Sequence, residues 1–357
     1  MKKQLSRLVL AASLSVLAWS CNQKDPVAKG DYVQGVFVTT IGNFFDNNGG
    51  LSYFRREHNT AESDLFAKVN GSDLKGGVAA YTTTGERGLI LVDNSNAGQD
   101  KVQIVDANSF EQIAAIGAPD IENPRDVVAS GNKAYVSCWG TNSDYTYRTG
   151  YIAVIDLSTN KVTKKISIGN GPQDLVIHNG KLFIGTAAFG GGRTLTVMNT
   201  ATDEIVKTVN FNAFPVPVGV DANGKIWISS GLDVIRMDPE TYATTTLKIP
   251  AAASKFAENF AFSPDLKTLY FILSYYVGNT TAGEMYKFGI DDTQITTTTP
   301  FIKRYFSGLG VDPMQGLIYG AVTPSPKQSG YAIRYRSDGS LVDSVKVGIA
   351  PSGFYFR

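Results

Sequence analysis

The sequence predicts an all-β protein, a seven-bladed β-propeller closed by pairing its own N- and C-terminal strands. Three observations predict it. A tight turn ending in a basic residue and followed by an apolar strand returns along most of the chain. A second hairpin is legible inside the units that this turn marks. The last residues repeat, in register, a segment that opens a unit in the middle of the chain. Periodicity of this kind is the mark of stacked supersecondary units, each too small to bury its own apolar face.

The marker turn first appears as Gly85-Glu86-Arg87 before Gly88-Leu89-Ile90-Leu91-Val92. It returns as Gly131-Asn132-Lys133, Asn179-Gly180-Lys181, Asn223-Gly224-Lys225 and Asp265-Leu266-Lys267, each before an apolar run. The weakest copy is Pro313-Met314-Gln315-Gly316. From Arg87 through Lys133, Lys181, Lys225 and Lys267 to Gly316 the steps are 46, 48, 44, 42 and 49 residues. Asn-Gly between apolar runs is a strong hairpin signal because both residues tolerate positive φ. The second hairpin reads as Val102-Gln103-Ile104-Val105-Asp106 leading to Glu111-Gln112-Ile113, and recurs from Ile152 and from Leu195. Two hairpins give four strands per unit, the size of a propeller blade.

Closure is read from the two ends. Val347-Gly348-Ile349-Ala350-Pro351 with Ser352-Gly353-Phe354-Tyr355-Phe356 matches Ile168-Gly169-Asn170-Gly171-Pro172 with Gln173-Asp174-Leu175-Val176-Ile177. The later copy opens a blade and then stops at Arg357. The strands it needs stand near the other end, at Gly35-Val36-Phe37-Val38-Thr39 and Leu51-Ser52-Tyr53-Phe54. Pairing the ends removes the open edges of an unclosed array.

The propeller is expected over residues 32–357, after a leader over 1–20 and a tether over 21–31. Lys2, Lys3 and Arg7 precede an apolar stretch over residues 8–18, too short to span a bilayer. The stretch ends in Trp19-Ser20-Cys21, which resembles a bacterial lipobox. That resemblance implies acylation of Cys21 and a lipid anchor in the outer membrane, with the domain exposed at the surface. Removing the leader leaves 30 Lys and Arg against 32 Asp and Glu. No basic stripe suggests nucleic acid. Cys138 then stands alone and reads as a small buried hydrophobe rather than a nucleophile.

The run Ile152-Ala153-Val154-Ile155-Asp156-Leu157-Ser158-Thr159-Asn160-Lys161-Val162, with Ile168-Gly169-Asn170-Gly171-Pro172 after it, resembles the repeat of the YVTN β-propellers. The chain as a whole resembles the YncE-like, DUF5074-type surface lipoprotein propellers of Bacteroidetes. Its Val36-Phe37-Val38-Thr39-Thr40-Ile41-Gly42-Asn43 and Gly50-Leu51-Ser52-Tyr53 contribute to that likeness. One branch of the group binds cobalamin at the cell surface and caps a TonB-dependent transporter. The resemblance therefore implies a corrinoid or another large polar ligand and a transporter partner.

In a propeller the loops between second and third strands share a face with the loops that link blades. Here that set is long, and the opposite turns are short. It offers aromatic planes at Phe44, Trp139, Tyr145, Phe189, Tyr275 and Tyr276, and amides at Asn43, Asn94 and Asn96. Arg148 and Arg193 suit a phosphate, and Arg125 completes the candidate set. Aromatics give contact area at small entropic cost while amides adapt their hydrogen bonds, which is binding chemistry. No catalytic residue, cofactor or metal is expected. The two histidines, His58 and His178, lack metal spacing. The alternatives are a protein-docking or envelope scaffold, and a propeller hydrolase or quinoprotein-like enzyme. The latter would use channel carboxylates at Asp126, Asp174 and Glu258 to hold Ca²⁺.

Overall fold

The computed structural model describes residues 30–141, 147–187 and 191–357. Over these residues the strands form seven antiparallel sheets, the blades of a propeller. Strands β1 (Val36–Thr40) and β2 (Gly50–Phe54) belong to the blade at the seam, and a short helix, α1 (Leu65–Asn70), follows them. Blade one holds β3 (Gly77–Thr84), β4 (Arg87–Asp93), β5 (Lys101–Asp106) and β6 (Gln112–Gly117). Blade two holds β7 (Pro124–Ser130), β8 (Lys133–Cys138), β9 (Tyr151–Asp156) and β10 (Lys161–Ser167). Blade three holds β11 (Pro172–His178), β12 (Lys181–Thr186), β13 (Thr194–Asn199) and β14 (Glu204–Asn210). Blade four holds β15 (Val216–Val220), β16 (Ile226–Ser230), β17 (Asp233–Met237) and β18 (Thr244–Lys248). Blade five has three strands, β19 (Phe256–Phe262), β20 (Thr268–Val277) and β21 (Thr280–Gly289). Blade six holds β22 (Gly308–Val311), β23 (Ile318–Val322), β24 (Ser329–Tyr335) and β25 (Leu341–Ile349). The last strand, β26 (Pro351–Phe356), returns to pair with β1 and completes the seam blade in the order β2-β1-β26.

The seam is where the sequence places it. Val36 opposes Phe356 and Val38 opposes Phe354, and Gly35 and Arg357 exchange backbone bonds of 3.0 Å in both directions. Arg56 reinforces it, reaching Asp312 at 2.6 Å and the Arg357 carbonyl at 2.6 Å. Arg334 in turn donates to the Arg56 carbonyl.

Apolar runs such as Leu89-Ile90-Leu91-Val92 are wholly buried because both faces of a blade pack against neighbours. The core is accordingly a series of layers between blades. One joins Leu89 and Leu91 to Ala134 and Val136. Another joins Val36, Val38 and Phe54 to Tyr319 and Val345 across the seam.

Two features depart from four strands per unit. In blade five the fourth position is reduced to a single bridge, Met285 to Ile302, and in the seam blade to a bridge between Tyr53 and Glu62. Tyr275 and Tyr276, expected in a loop, lie instead on β20, which runs ten residues and pairs with β21 to the tip of the hairpin. The reason is local: alternating Tyr, Val and Thr about a two-residue Gly278-Asn279 turn favours an extended ribbon.

Candidate functional site

Loop length between the second and third strands of the blades is uneven. The long connections are residues 41–49 at the seam, 94–100 in blade one, 139–150 in blade two and 187–193 in blade three. Blade four has only Gly231 and Leu232 at the same place. The face is therefore lopsided, and two grooves lie where the seam meets blades one and two. The larger, about 850 Å³, runs between residues 46–51, α1 with its flanks, and the loop 94–100. The smaller, about 470 Å³, runs between Ile41 and Phe44 on one side and Arg125, Trp139 and Tyr147 on the other. Asn94 lines both.

The loop between the grooves is built by its own polar groups. Asp100 is buried and accepts from the backbone N–H of Asn94 at 2.8 Å and of Asn123 at 2.8 Å. The Asn94 side chain donates to the Lys75 carbonyl and accepts from the Asn96 backbone N–H. Asn47 and Ser95 bond one another twice, at 2.8 and 2.9 Å. The amide of Asn94 is thus committed to holding the wall.

Arg125 shapes the smaller groove. Its guanidinium lies 4.1 Å over the Trp139 ring and 2.9 Å from an Asp93 oxygen. Burial pushes the Asp93 carboxyl upward and Arg125 opposes that shift. The Tyr147 ring stands 4.2 Å from that of Trp139, whose Nε1 is buried without a partner among the described residues. Trp139 is therefore a packed floor with Arg125 stacked on it, rather than a bare platform. Phe44 and Phe45 form an edge-to-face pair beside it, and Phe45 is 83% exposed.

The larger groove carries Asp46, Asp64, Asp73, Lys75, Gln99 and Lys101. Burial, then the nearby Lys75, lowers the Lys101 ammonium pKa. Burial, then Asp73, raises that of Asp64. These groups provide donors and acceptors of both signs within one cleft.

Of the expected residues, Phe44, Asn94, Asn96, Arg125 and Trp139 line these grooves. Asn43 lines neither and donates its backbone N–H to Asn48. Arg148 and Arg193 are exposed and line neither groove. Tyr275 and Tyr276 sit on blade five, where Tyr275 bonds Glu284 and Tyr276 meets Phe256. Blade six stands between blade five and the seam, and blades three and four stand between it and Trp139, so Tyr275 and Tyr276 line neither groove. Tyr145, Phe189 and Cys21 lie outside the described residues.

The channel carboxylates are engaged otherwise. Asp126 accepts from the N–H of Val127 and, across to the next blade, of Leu175, both at 2.8 Å. Burial, then Asp126, pushes the Asp174 carboxyl up to about 7. Glu258 lies near Tyr305, and burial, then that carboxylate, pushes the Tyr305 hydroxyl pKa up to about 12. Among the described residues no three His, Cys, Asp or Glu side chains gather as metal ligands. Cys138 is buried, and burial raises its thiol pKa to about 12.

The α1 segment and Tyr147 were missed by sequence reasoning. The signal available was Asp64 followed by Leu65-Phe66-Ala67-Lys68-Val69, a helical pattern inside an otherwise β-forming chain.

A family model described as a domain of unknown function, DUF5074, matches residues 34–356. Among solved structures, a quinonprotein alcohol dehydrogenase-like protein from Bacteroides thetaiotaomicron is similar at 16% identity and a TM-score of 0.64, over 91% of this chain and 78% of that one. A functionally unknown protein from Desulfotomaculum acetoxidans is similar at 11% identity and 0.58, over 90% and 98%. A protein from Lactobacillus plantarum is similar at 12% and 0.55, over 91% and 99%. At these identities the likeness shows the fold alone. No curated protein matches the chain.

Proposed function

Since this chain belongs to the DUF5074 family, whose description assigns no activity, we propose that it is a binding propeller that takes a large polar small molecule in the paired grooves beside the seam. The observation that carries this reading is the pair itself. Two clefts of about 850 and 470 Å³ share Asn94 and bring Arg125, Phe44, lysines, carboxylates and amides to one side of the face. Ligand sites are typically clefts of about 300–1,000 Å³ with a few placed polar groups.

A corrinoid is the first ligand class to test. It joins a flat ring to amide arms and one phosphate, and Phe44, the Lys75–Lys101 pair and Arg125 match those parts. In this proposal Cys21 carries the lipid anchor at the outer membrane, and a TonB-dependent transporter is the recipient. The test is calorimetric titration of the purified chain with cyanocobalamin. Binding should weaken by about 1–3 kcal/mol in Phe44→Ala and in Arg125→Ala. Arg193→Ala and Tyr276→Ala, away from the grooves, should leave it unchanged. Absence of heat and of any thermal shift at saturating ligand discards the corrinoid.

A protein-docking role is the second reading. It is favoured by Ile41, Phe44 and Phe45 standing 45, 49 and 83% exposed at the groove lip. Co-purification of a protein in the absence of small ligand, lost in Phe45→Asp, would select it.

A further inference from the structure

Blade five leaves a stretch of sheet edge open. The strands β20 and β21 pair without a register slip from Thr268↔Gly289 to Val277↔Thr280. The inner strand β19 begins only at Phe256, opposite Ser274, so beyond that point the ribbon is two strands wide. On the outer side Met285 exchanges backbone bonds with residues 301–302, donating to Ile302 at 2.9 Å and accepting from Phe301 at 2.8 Å. Backbone groups alternate sides along a strand, so those of Gly283 and Thr281 point outward as well. Neither has a backbone partner on that side among the described residues.

The other outer edges are blunted. In blades one, two, three and six the pairing to the fourth strand is broken by a bulge. Blade four has no such slip, but its outer strand ends in Lys248. At the seam, Glu62 bridges Tyr53 of β2 and α1 packs beside that strand. The upper edge of β21 reads Thr280-Thr281-Ala282-Gly283, with no charge, proline or bulge. Unprotected edges of this kind are templates for another strand.

Charge indicates what that strand carries. Lys303 and Arg304 are exposed and follow directly on Ile302, where the fourth position empties. Lys287 lies over the Phe301 ring and Lys255 over the Tyr275 ring. None of these four cations forms an ion pair among the described residues. A second copy paired edge to edge would bring like charges together, whereas an acidic segment would meet opposite ones.

We infer that the outer edge of β21 is a docking site for an extended acidic peptide segment of a partner protein, added as the missing fourth strand of blade five. Main-chain bonds at Thr281 and Gly283 hold it, and the flanking cations select its charge. This site is separate from the grooves beside the seam and stands or falls independently of the ligand there.

The experiment uses a fluorescein-labelled peptide of about eight residues, a typical strand's reach, alternating Glu with Val. Anisotropy is read with the purified chain at low salt. The acidic peptide should bind at least about tenfold tighter than one with Lys in place of Glu. N-methylation at alternate amides should abolish binding, since it removes the main-chain donors. Thr281→Pro, which deletes an outward donor and leaves the β20 pairing in place, should weaken binding at least about tenfold. The pair Lys303→Glu and Arg304→Glu should reverse the charge preference and provides the test if the proline variant is unstable. No binding of the acidic peptide, equal binding of the N-methylated peptide, or binding untouched by both sets of substitutions would overturn the inference. Concentration-dependent self-association lost in Thr281→Pro would instead identify a second copy as the occupant, and would overturn it too.

Discussion

Asp174 lies on an inner strand beside Asp126, enclosed by protein yet partly open to water. Its folded carboxyl titrates at about 7, against about 3.9 for an ordinary aspartate. Between those values the folded state holds a proton that the unfolded chain has released. Stability therefore falls as pH rises through this window, and the penalty is complete above about pH 7. Asp174→Asn should stabilise the protein at pH 8, by on the order of 1–2 kcal/mol once water screening is allowed for. The gain should vanish below about pH 4. Denaturant melts of both proteins across pH check this, and a gain that persists at low pH would refute it. That Asp126 and Asp174 are neighbours follows from the matched openings of β7 and β11. That Arg125 stacks on Trp139 was not legible, because Trp139 begins a loop whose path only the folded blade fixes. Asn94 shows the same limit: its residue type suited a ligand, and its amide holds the loop.

At the scale of the element, the repeat markers acquire a physical role. Two of the lysines that follow a tight turn reach the third turn of the next blade, whereas Lys225 pairs with Asp238 inside blade four. Lys133 of β8 contacts Asp203 at 2.9 Å and the Thr200 carbonyl at 3.1 Å, both in blade three. Lys181 of β12 reaches Glu240 at 2.6 Å and the Pro239 carbonyl at 2.8 Å, in blade four. In blades one to four the aspartate or asparagine at the end of the third strand folds the turn itself. Asp106, Asp156, Asn199 and Asp238 each accept from a backbone N–H two residues on. Asp203 is nearly buried and also takes Lys164 and the Tyr135 hydroxyl. Asp203→Ala should therefore cost about 1–2 kcal/mol, because it removes a little-exposed acceptor shared by Lys133, Lys164 and the Tyr135 hydroxyl. Lys181→Ala, facing an exposed glutamate, should cost under about 1 kcal/mol. Urea titration of both variants checks the order, and equal costs would contradict it. These residues were visible in the sequence because they recur. The α1 segment and the unfinished edge of blade five occur once, so no comparison within the chain could expose them.

At the scale of the molecule, closure depends on one three-stranded blade assembled from both ends. Removing residues 349–357 would strip β26 from β1, take away Phe354 and Phe356, and uncover Val36, Val38 and Tyr319, against which they pack. Each buried Phe contributes roughly 1.5–3 kcal/mol, a large part of a typical total of about 5–15 kcal/mol. The truncated chain should lose its cooperative transition or melt far below the intact one. A transition within a degree or two would rule out the seam as the closing element. The same match of chain ends made the ring legible, since a segment that opens a blade without finishing it demands its complement. Which blades would face one another across the ring was not legible, and the scattering of Tyr275 and Tyr276 from Trp139 follows from that. The seam also fixes how the molecule bears force. The chain enters beside Asn108, on the short-turn side, and β1 is gripped by β2 on one flank and β26 on the other. A pull on a tether at residue 30, resisted at the opposite face, would run along β1 and load both rows of bonds together in shear. They would have to slip at once rather than open one by one. A propeller hung by that end would thus carry tension through its strongest axis and hold its grooves on the side away from the support.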